Sequence, residues 1–205
     1  MPKGDPSEVL RAPELTAGAR RLLETASALF YRDGLHAVGV DTIAAESGVS
    51  KRTLYDRFGT KDQLIAASLQ VRHQRWWERM ERRVAAHPEA PVLALCDAYR
   101  EDAETIDRGC AFLNAAAELP EAHPAHRVVR AHKHAVRERL AELVELAVPG
   151  TREPGILAEQ VFLLLEGGIA QHGVDGDDRA LRSARAMTAR LLEERGATPE
   201  VPGAP

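Results

Sequence analysis

The chain has 205 residues, 22.4 kDa, and a formal net charge of −4 from 27 Lys and Arg against 31 Asp and Glu. That length holds one sizeable domain, or one core with a small appended module. The acidic balance excludes a protein that coats nucleic acid through bulk charge, although a local basic patch remains compatible with it.

Residues 1–14 are rich in Pro, Gly and charge, which predicts a disordered N-terminal arm; the tail 196–205 reads the same way. Ala19, Leu22, Leu23, Ala26, Leu29 and Phe30 recur at spacings of three and four, so the spacing predicts a helix from Thr16 to Arg32 that Gly34 ends. A short helix, Val40 to Ser47, follows. Gly48 and Val49 make a turn, and Ser50 caps a helix from Lys51 to Phe58. Thr60 caps the next, with Asp62 in its first turn where a negative charge suits the helix dipole. Nothing interrupts that helix from Lys61 to Ala86. Further helices are expected over Pro91–Ile106, Cys110–Glu118, Ala125–Ala147, Gly155–His172 and Asp178–Glu194. No run alternates apolar and polar residues for the length of a strand, and aromatic residues make up only 4%, so the chain is expected to be all-α.

The stretch GVDTIAAESGVSKRTLYDRFGTKDQL, Gly39 to Leu64, has the layout of a helix-turn-helix, whose second helix enters the DNA major groove. Ile43, Ala44, Val49 and Leu54 are apolar where the helices must pack. Lys51, Arg52, Thr53, Tyr55 and Arg57 are left outside, supplying cations for phosphates and guanine edges and hydroxyls for phosphate oxygens. An ordinary helical hairpin with a solvated polar face would carry the same spacing.

The stretch FYRDGLHAVGVDTIAAESGVSKRTLYDRFGTKDQL, with Phe30, Gly34, Ile43, Ala44, Gly48, Val49, Ser50, Thr53, Leu54, Tyr55, Phe58, Lys61 and Leu64 at fixed spacing, resembles the TetR family of transcriptional regulators. GCAFLNAAAEL, Gly109 to Leu119, is similar, more weakly, to a segment of that family's ligand-binding half. The resemblance implies a three-helix DNA-binding head over residues 15–60, a ligand-binding and dimerisation domain over residues 61–195, and a homodimer that leaves double-stranded operator DNA when a small-molecule effector binds. It places Lys51 and Arg52 at base edges, Tyr55 at phosphate or a thymine methyl, Ser50, Thr53 and Arg57 on the backbone, and Lys61 at phosphate beside a helix N-terminus. Gly39 departs from the family pattern, which commonly has Ser or Thr there. The hydroxyl contact is lost, and Thr42 is counted with the DNA-facing residues without standing in for it. Asp56 would repel phosphate unless it faces a cytosine amine or Arg52.

Trp76, Trp77, Tyr99, Phe112, Asn114, Phe162, Glu166 and His172 are the large or polar residues on otherwise small, apolar helices, the mixture that lines a ligand site. Glu166, inside VFLLLEGGIA, needs a partner. That partner is either a cationic ligand or an Arg or His across the fold. Leu181, Ala184, Met187, Leu191 and Leu192 form one apolar stripe, with Phe162, Leu165, Gly168 and Ile169 on the preceding helix; the family resemblance implies a dimer interface there, although a stripe also serves an intramolecular core.

Cys96 and Cys110 have no C-x-x-C spacing and read as small buried residues in a reducing compartment, with an oxidation switch as the rival. The histidines of EAHPAHRVVRAHKHAVRERL, namely His123, His126, His132 and His134, have no i, i+4 pair inside their helix, so no metal is expected. No G-x-S-x-G, H-E-x-x-H, P-loop or Rossmann pattern occurs, and neither an enzyme nor a cofactor is expected. The absence of an apolar export segment or membrane-length run predicts a cytoplasmic protein without membrane contact. A rival from another class is a helical binding protein that does not use its helix-turn-helix on DNA.

Overall fold

The computed structural model describes residues 6–105 and 107–196, and the described residues form ten α-helices and no strand. They are α1 (Pro6–Leu10), α2 (Ala17–Asp33), α3 (Val40–Ser47), α4 (Lys51–Phe58), α5 (Lys61–Ala86), α6 (Pro91–Ala103), α7 (Ala111–Glu118), α8 (Pro124–Ala147), α9 (Pro154–Asp175) and α10 (Arg179–Gly196). Among the described residues no helix is long and apolar enough to cross a membrane.

Two compact units divide the chain. The first comprises residues 1–78 and 108–135, the second residues 79–107 and 136–205. The long helices α5 and α8 therefore each supply residues to both, and α7 belongs with the N-terminal helices. Packing thus ties α7 to the N-terminal helices. The physical reason is that Phe112, Ala115, Leu119, Ala125, Val128 and Val129 are buried in the same core as the α2 stripe, and a contact across some 80 residues leaves no local pattern.

In the first unit Leu22, Leu23, Ala26, Leu29 and Phe30 of α2 pack with Ile43 of α3, Leu54 of α4 and Leu64, Ile65 and Leu69 of α5. Thr16 caps α2 by accepting from the Ala19 N–H at 3.4 Å. The arm expected to be disordered is corrected over residues 6–10. Helix α1 forms there, Leu10 is buried in the core, and the Gln70 side chain donates to the Val9 carbonyl at 2.8 Å. Five residues would not hold a helix alone; burial of this apolar pair stabilises it, and a stretch rich in Pro, Gly and charge concealed the pair. Residues 1–5 and 197–205, the rest of the two expected disordered ends apart from residues 11–14 and Gly196, lie outside the described residues.

In the second unit α9 packs on α10 and both pack on α6. A Cβ at Gly168 would lie 2.9 Å from Leu181 Cδ2 and 3.3 Å from its Cα, so only glycine permits this approach of α9 to α10. Ion pairs join the rim: Arg185 Nε to Asp97 Oδ1 at 2.8 Å, Arg79 to Asp102 at 2.7 Å, and Arg139 to both oxygens of Glu81 at 2.8 and 2.9 Å.

Candidate DNA-binding surface

The turn between α3 and α4 is set by Gly48, whose φ of 64° and ψ of 22° lie in the left-handed region that a side chain disfavours. Ser47 stabilises it from within, its hydroxyl accepting from the Val49 N–H at 3.2 Å while donating to the Ala44 carbonyl. Val49 is buried beside it. Ser50 then opens α4, accepting from the Thr53 N–H at 3.2 Å, with the two hydroxyls 3.0 Å apart. Ile43 and Leu54 are wholly buried against α2, which fixes the rotation of α4. The opposite face is consequently presented to solvent. Thr42, Ser50, Lys51, Arg52, Tyr55 and Arg57 are exposed, and Thr53 and Lys61 are half-buried. Gly39 makes no side-chain cap on α3, as its lack of a hydroxyl requires.

Two carboxylates sit among these cations. Asp41 pairs with Lys51, and Asp56 lies 3.6 Å from Arg52 one helical turn back. Hydrogen bonding to Asp41, with its charge, raises the Lys51 pKa, whereas burial lowers that of Lys61 at the start of α5. A phosphate approaching Lys51 must compete with Asp41. Asp41→Asn is therefore expected to tighten binding to a random-sequence duplex about threefold at low salt and to lose that gain as salt screens the surface; fluorescence anisotropy across a salt series measures it.

Sequence reasoning missed the groups that hold this head from behind. Glu118 of α7 accepts from the Leu35 N–H at 2.6 Å, and its carbonyl accepts from His36 Nε2 at 2.6 Å. The Tyr31 hydroxyl accepts from the Arg108 N–H at 2.7 Å and donates to the Gly109 carbonyl at 3.1 Å. No signal in the sequence pairs residues this far apart.

The eight residues expected to line a ligand site divide between the units. Trp76, Trp77 and Phe112 gather in the first around His73 and His132, whose Nδ1 atoms are 3.0 Å apart; Phe112 stacks on His132 at 3.8 Å, and Trp76 and Trp77 meet the histidines edge-on or tilted at 5.4 and 5.3 Å. Asn114 instead donates to the Arg108 carbonyl at 2.9 Å. In the second unit Glu166 accepts from the Tyr99 hydroxyl at 3.0 Å. Arg137 lies 4.0 Å over the Phe162 ring, and His172 Nδ1 is 2.9 Å from the Asp177 carbonyl. A cavity of about 570 Å³ in the first unit is lined by other residues, from Ala12 to Leu15 with Arg20, Leu23, Glu24 and Ser27 of α2 and Val71, Gln74, Arg75 and Glu78 of α5. Among the described residues no group of three or more His, Cys, Asp or Glu could hold a metal ion. Both cysteines are free. Burial pushes the Cys96 thiol up to about 12, so Cys96 carries little thiolate at neutral pH.

Residues 22–68 match the bacterial regulatory proteins of the tetR family, and residues 88–188 match the tetracyclin repressor-like C-terminal domain. A TetR transcriptional regulator from Streptomyces avermitilis has the same fold at a TM-score of 0.70 and 31% identity, covering 88% of this chain and 98% of that one. The chain belongs to the TetR family of transcriptional regulators. The TetR-family regulator SCO4454 from Streptomyces coelicolor superposes with a TM-score of 0.80 at 29% identity over 87% of this chain and 96% of that one. The HTH-type transcriptional repressor SCO4008, also from Streptomyces coelicolor, is 28% identical over 90% of this chain and 98% of its own length.

In this TetR-family chain the residues expected at a dimer interface are mostly interior to the protomer. Phe162, Leu165, Gly168, Ile169, Leu181 and Ala184 are buried, Leu191 and Leu192 are half-buried, and Met187 is exposed. Helix α9 is apolar on its other side as well. Ile156, Leu163, Gly167, Ala170 and Val174 are exposed along one face that also carries Gln160, with Ala186 and Met187 exposed on α10. The buried set was visible in the sequence as a helical stripe, but only packing decides which of two apolar faces on one helix turns inward.

Proposed function

We propose that this TetR-family regulator is a homodimeric repressor that a small molecule releases from its operator. The observation that carries the DNA-binding part is the outward face of α4, where Lys51, Arg52 and Tyr55 stand exposed behind a capped N-terminus on a helix anchored by wholly buried Leu54. Lys51 and Arg52 would reach base edges, Tyr55 the backbone or a thymine methyl, Ser50, Thr53 and Arg57 the phosphates, and Lys61 a phosphate at the start of α5. The repressor role is supported by the likeness to SCO4008. Dimerisation is supported by the exposed apolar residues of α9 and α10. Two recognition helices would then meet successive major grooves about 34 to 36 Å apart, on a near-palindromic operator.

Sequencing the duplexes retained by the purified protein from a random pool, with and without candidate effectors, tests this reading. Arg52→Ala is expected to relax preference at one base pair by about 1 to 3 kcal/mol if it reads a guanine, whereas Lys61→Ala should weaken all sequences alike. Unchanged affinity of the Lys51→Ala/Tyr55→Ala variant for the selected duplex would remove the assignment. Effector binding is expected to change the fluorescence of Trp76 and Trp77, the only tryptophans, and to be weakened by operator in the same ratio as it weakens operator binding.

A further inference from the structure

The cavity of about 570 Å³ in the first unit lies between α2, α5 and the chain that joins α1 to α2. That joining chain is held at both ends. Before it, Leu10 is buried in the core and the Val9 carbonyl accepts from Gln70 of α5; after it, Leu15 packs against the same core and Thr16 caps α2. Between these points Ala12 and Pro13 are too small to fill the space they cross. The walls follow from helical period: Leu23, Glu24 and Ser27 share one face of α2, and Val71, Arg75 and Glu78 one face of α5. Arg75 donates across to Glu24 at 2.8 Å and ties the two faces together. The floor is apolar, with Leu23 wholly buried and Leu15 and Val71 half-buried. The rim is charged and exposed. Glu14, Glu24 and Glu78 face Arg20 and Arg75, three carboxylates against two guanidiniums, and none of the lining residues is aromatic.

We propose that this cavity is a binding site for a hydrophobic primary amine, whose ammonium is held by Glu14 and Glu78 and whose hydrocarbon lies over Leu15, Leu23 and Val71. The volume suits a small organic molecule. The charge of the lining selects the sign: with Glu24 and Arg75 paired, Glu14 and Glu78 outnumber Arg20 by one, so a monocation leaves the filled site neutral. An anion would have to displace Glu24 from Arg75 and leave that carboxylate without its partner. The lack of a ring in the lining selects the head group. A quaternary ammonium is recognised through aromatic faces, whereas a primary ammonium brings three N–H donors to carboxylate oxygens. Glu78 accepts from Gln74 on one oxygen at 3.0 Å, which steadies the carboxylate and leaves its second oxygen for the amine. The proposal does not depend on the operator and effector reading, because no lining residue belongs to the outward face of α4 or to the aromatic and histidine cluster.

Isothermal titration calorimetry of the full chain with 4-phenylbutylamine, 4-phenylbutyltrimethylammonium and 4-phenylbutanoate tests the sign and the head group, and methyl chemical-shift changes at Leu15, Leu23 and Val71 place the bound molecule. The primary amine is expected to bind with a dissociation constant of about 1 mM or tighter. The trimethylammonium should bind about tenfold more weakly or worse, and the carboxylate should not bind. Glu14→Gln/Glu78→Gln keeps the shape of the rim and removes both charges, so it should weaken the amine about tenfold. Both side chains are exposed, so this variant keeps the fold. Four results would overturn the proposal: no heat and no shift with the amine at about 10 mM, equal affinity for the amine and either comparison compound, unchanged affinity in the double variant, or shifts confined to methyls outside the cavity.

Discussion

Leu163→Asp is expected to yield a folded monomer whose operator affinity has dropped by about 100- to 10,000-fold, because the second half-site is lost with the second head. Leu163 is 60% exposed at the middle of α9, between Ile156 and Gly167 on one apolar stripe, and it makes no part of the protomer's core. A carboxylate there costs the single chain little, yet in a helix–helix interface it would be buried without a partner. The contrast with Leu165, two residues on, is informative. Leu165 is fully buried, and Asp at that position should unfold the second unit outright. Met187→Asp on α10, at a half-exposed site, should mimic Leu163→Asp in weaker form. Sedimentation equilibrium and operator titration of the two variants measure this. A Leu163→Asp protein that sediments as a dimer and binds operator as the wild type does would show that copies of this chain meet elsewhere.

The second large effect is on stability below neutral pH. Burial pushes His73 down to about 4 and His132 well below the usual imidazole range, the latter aided by the neighbouring charges of Lys133 and Arg72 and by His73 itself. In the folded chain the pair is neutral, one Nδ1–H donating to the other Nδ1 across 3.0 Å. The unfolded chain protonates both near 6.5. Stability is therefore fully present above about 6.5 and falls as pH falls from there towards 4, since the unfolded state binds the protons that the folded state refuses. Each histidine contributes a slope of up to about 1.4 kcal/mol per pH unit. Both shifts have the same sign, so the two histidines destabilise the fold together as pH falls. The measurement is the urea midpoint from pH 7.5 to 4.5 for wild type and for His73→Gln/His132→Gln, whose amides hydrogen-bond without titrating. The chain has eight histidines, so the difference between the two profiles is the quantity that decides. Parallel profiles would show that the pair is not the group being charged.

The outward face of α4 was legible residue by residue because it is local. Ser50 as cap, Gly48 at the turn, Leu54 facing in and Lys51, Arg52 and Tyr55 facing out all follow from helical period and turn chemistry within twenty residues, and each stands there in the fold. Helix α1 was missed because its stability comes from burial of Leu10 in a distant core, against a composition that points to disorder. The interior role of Phe162, Leu165 and Leu181 was not separable from an interface role by pattern, since α9 is apolar on two faces.

By itself, then, the chain's order of residues determined nine of the ten described helices, each end to within three residues, and which side chains stand outward on α4, all of them consequences of nearest-neighbour sterics, capping and a period of 3.6 residues. Tertiary structure alone decided that His73 meets His132, that Glu118 holds Leu35, that Tyr31 is gripped by Arg108, and that Leu163 rather than Leu165 faces solvent. These are contacts between residues 59 to 83 positions apart, or choices between two faces of one helix. Their free energy depends on how helices dock, and that docking is cooperative over the whole core, so no window of sequence contains it.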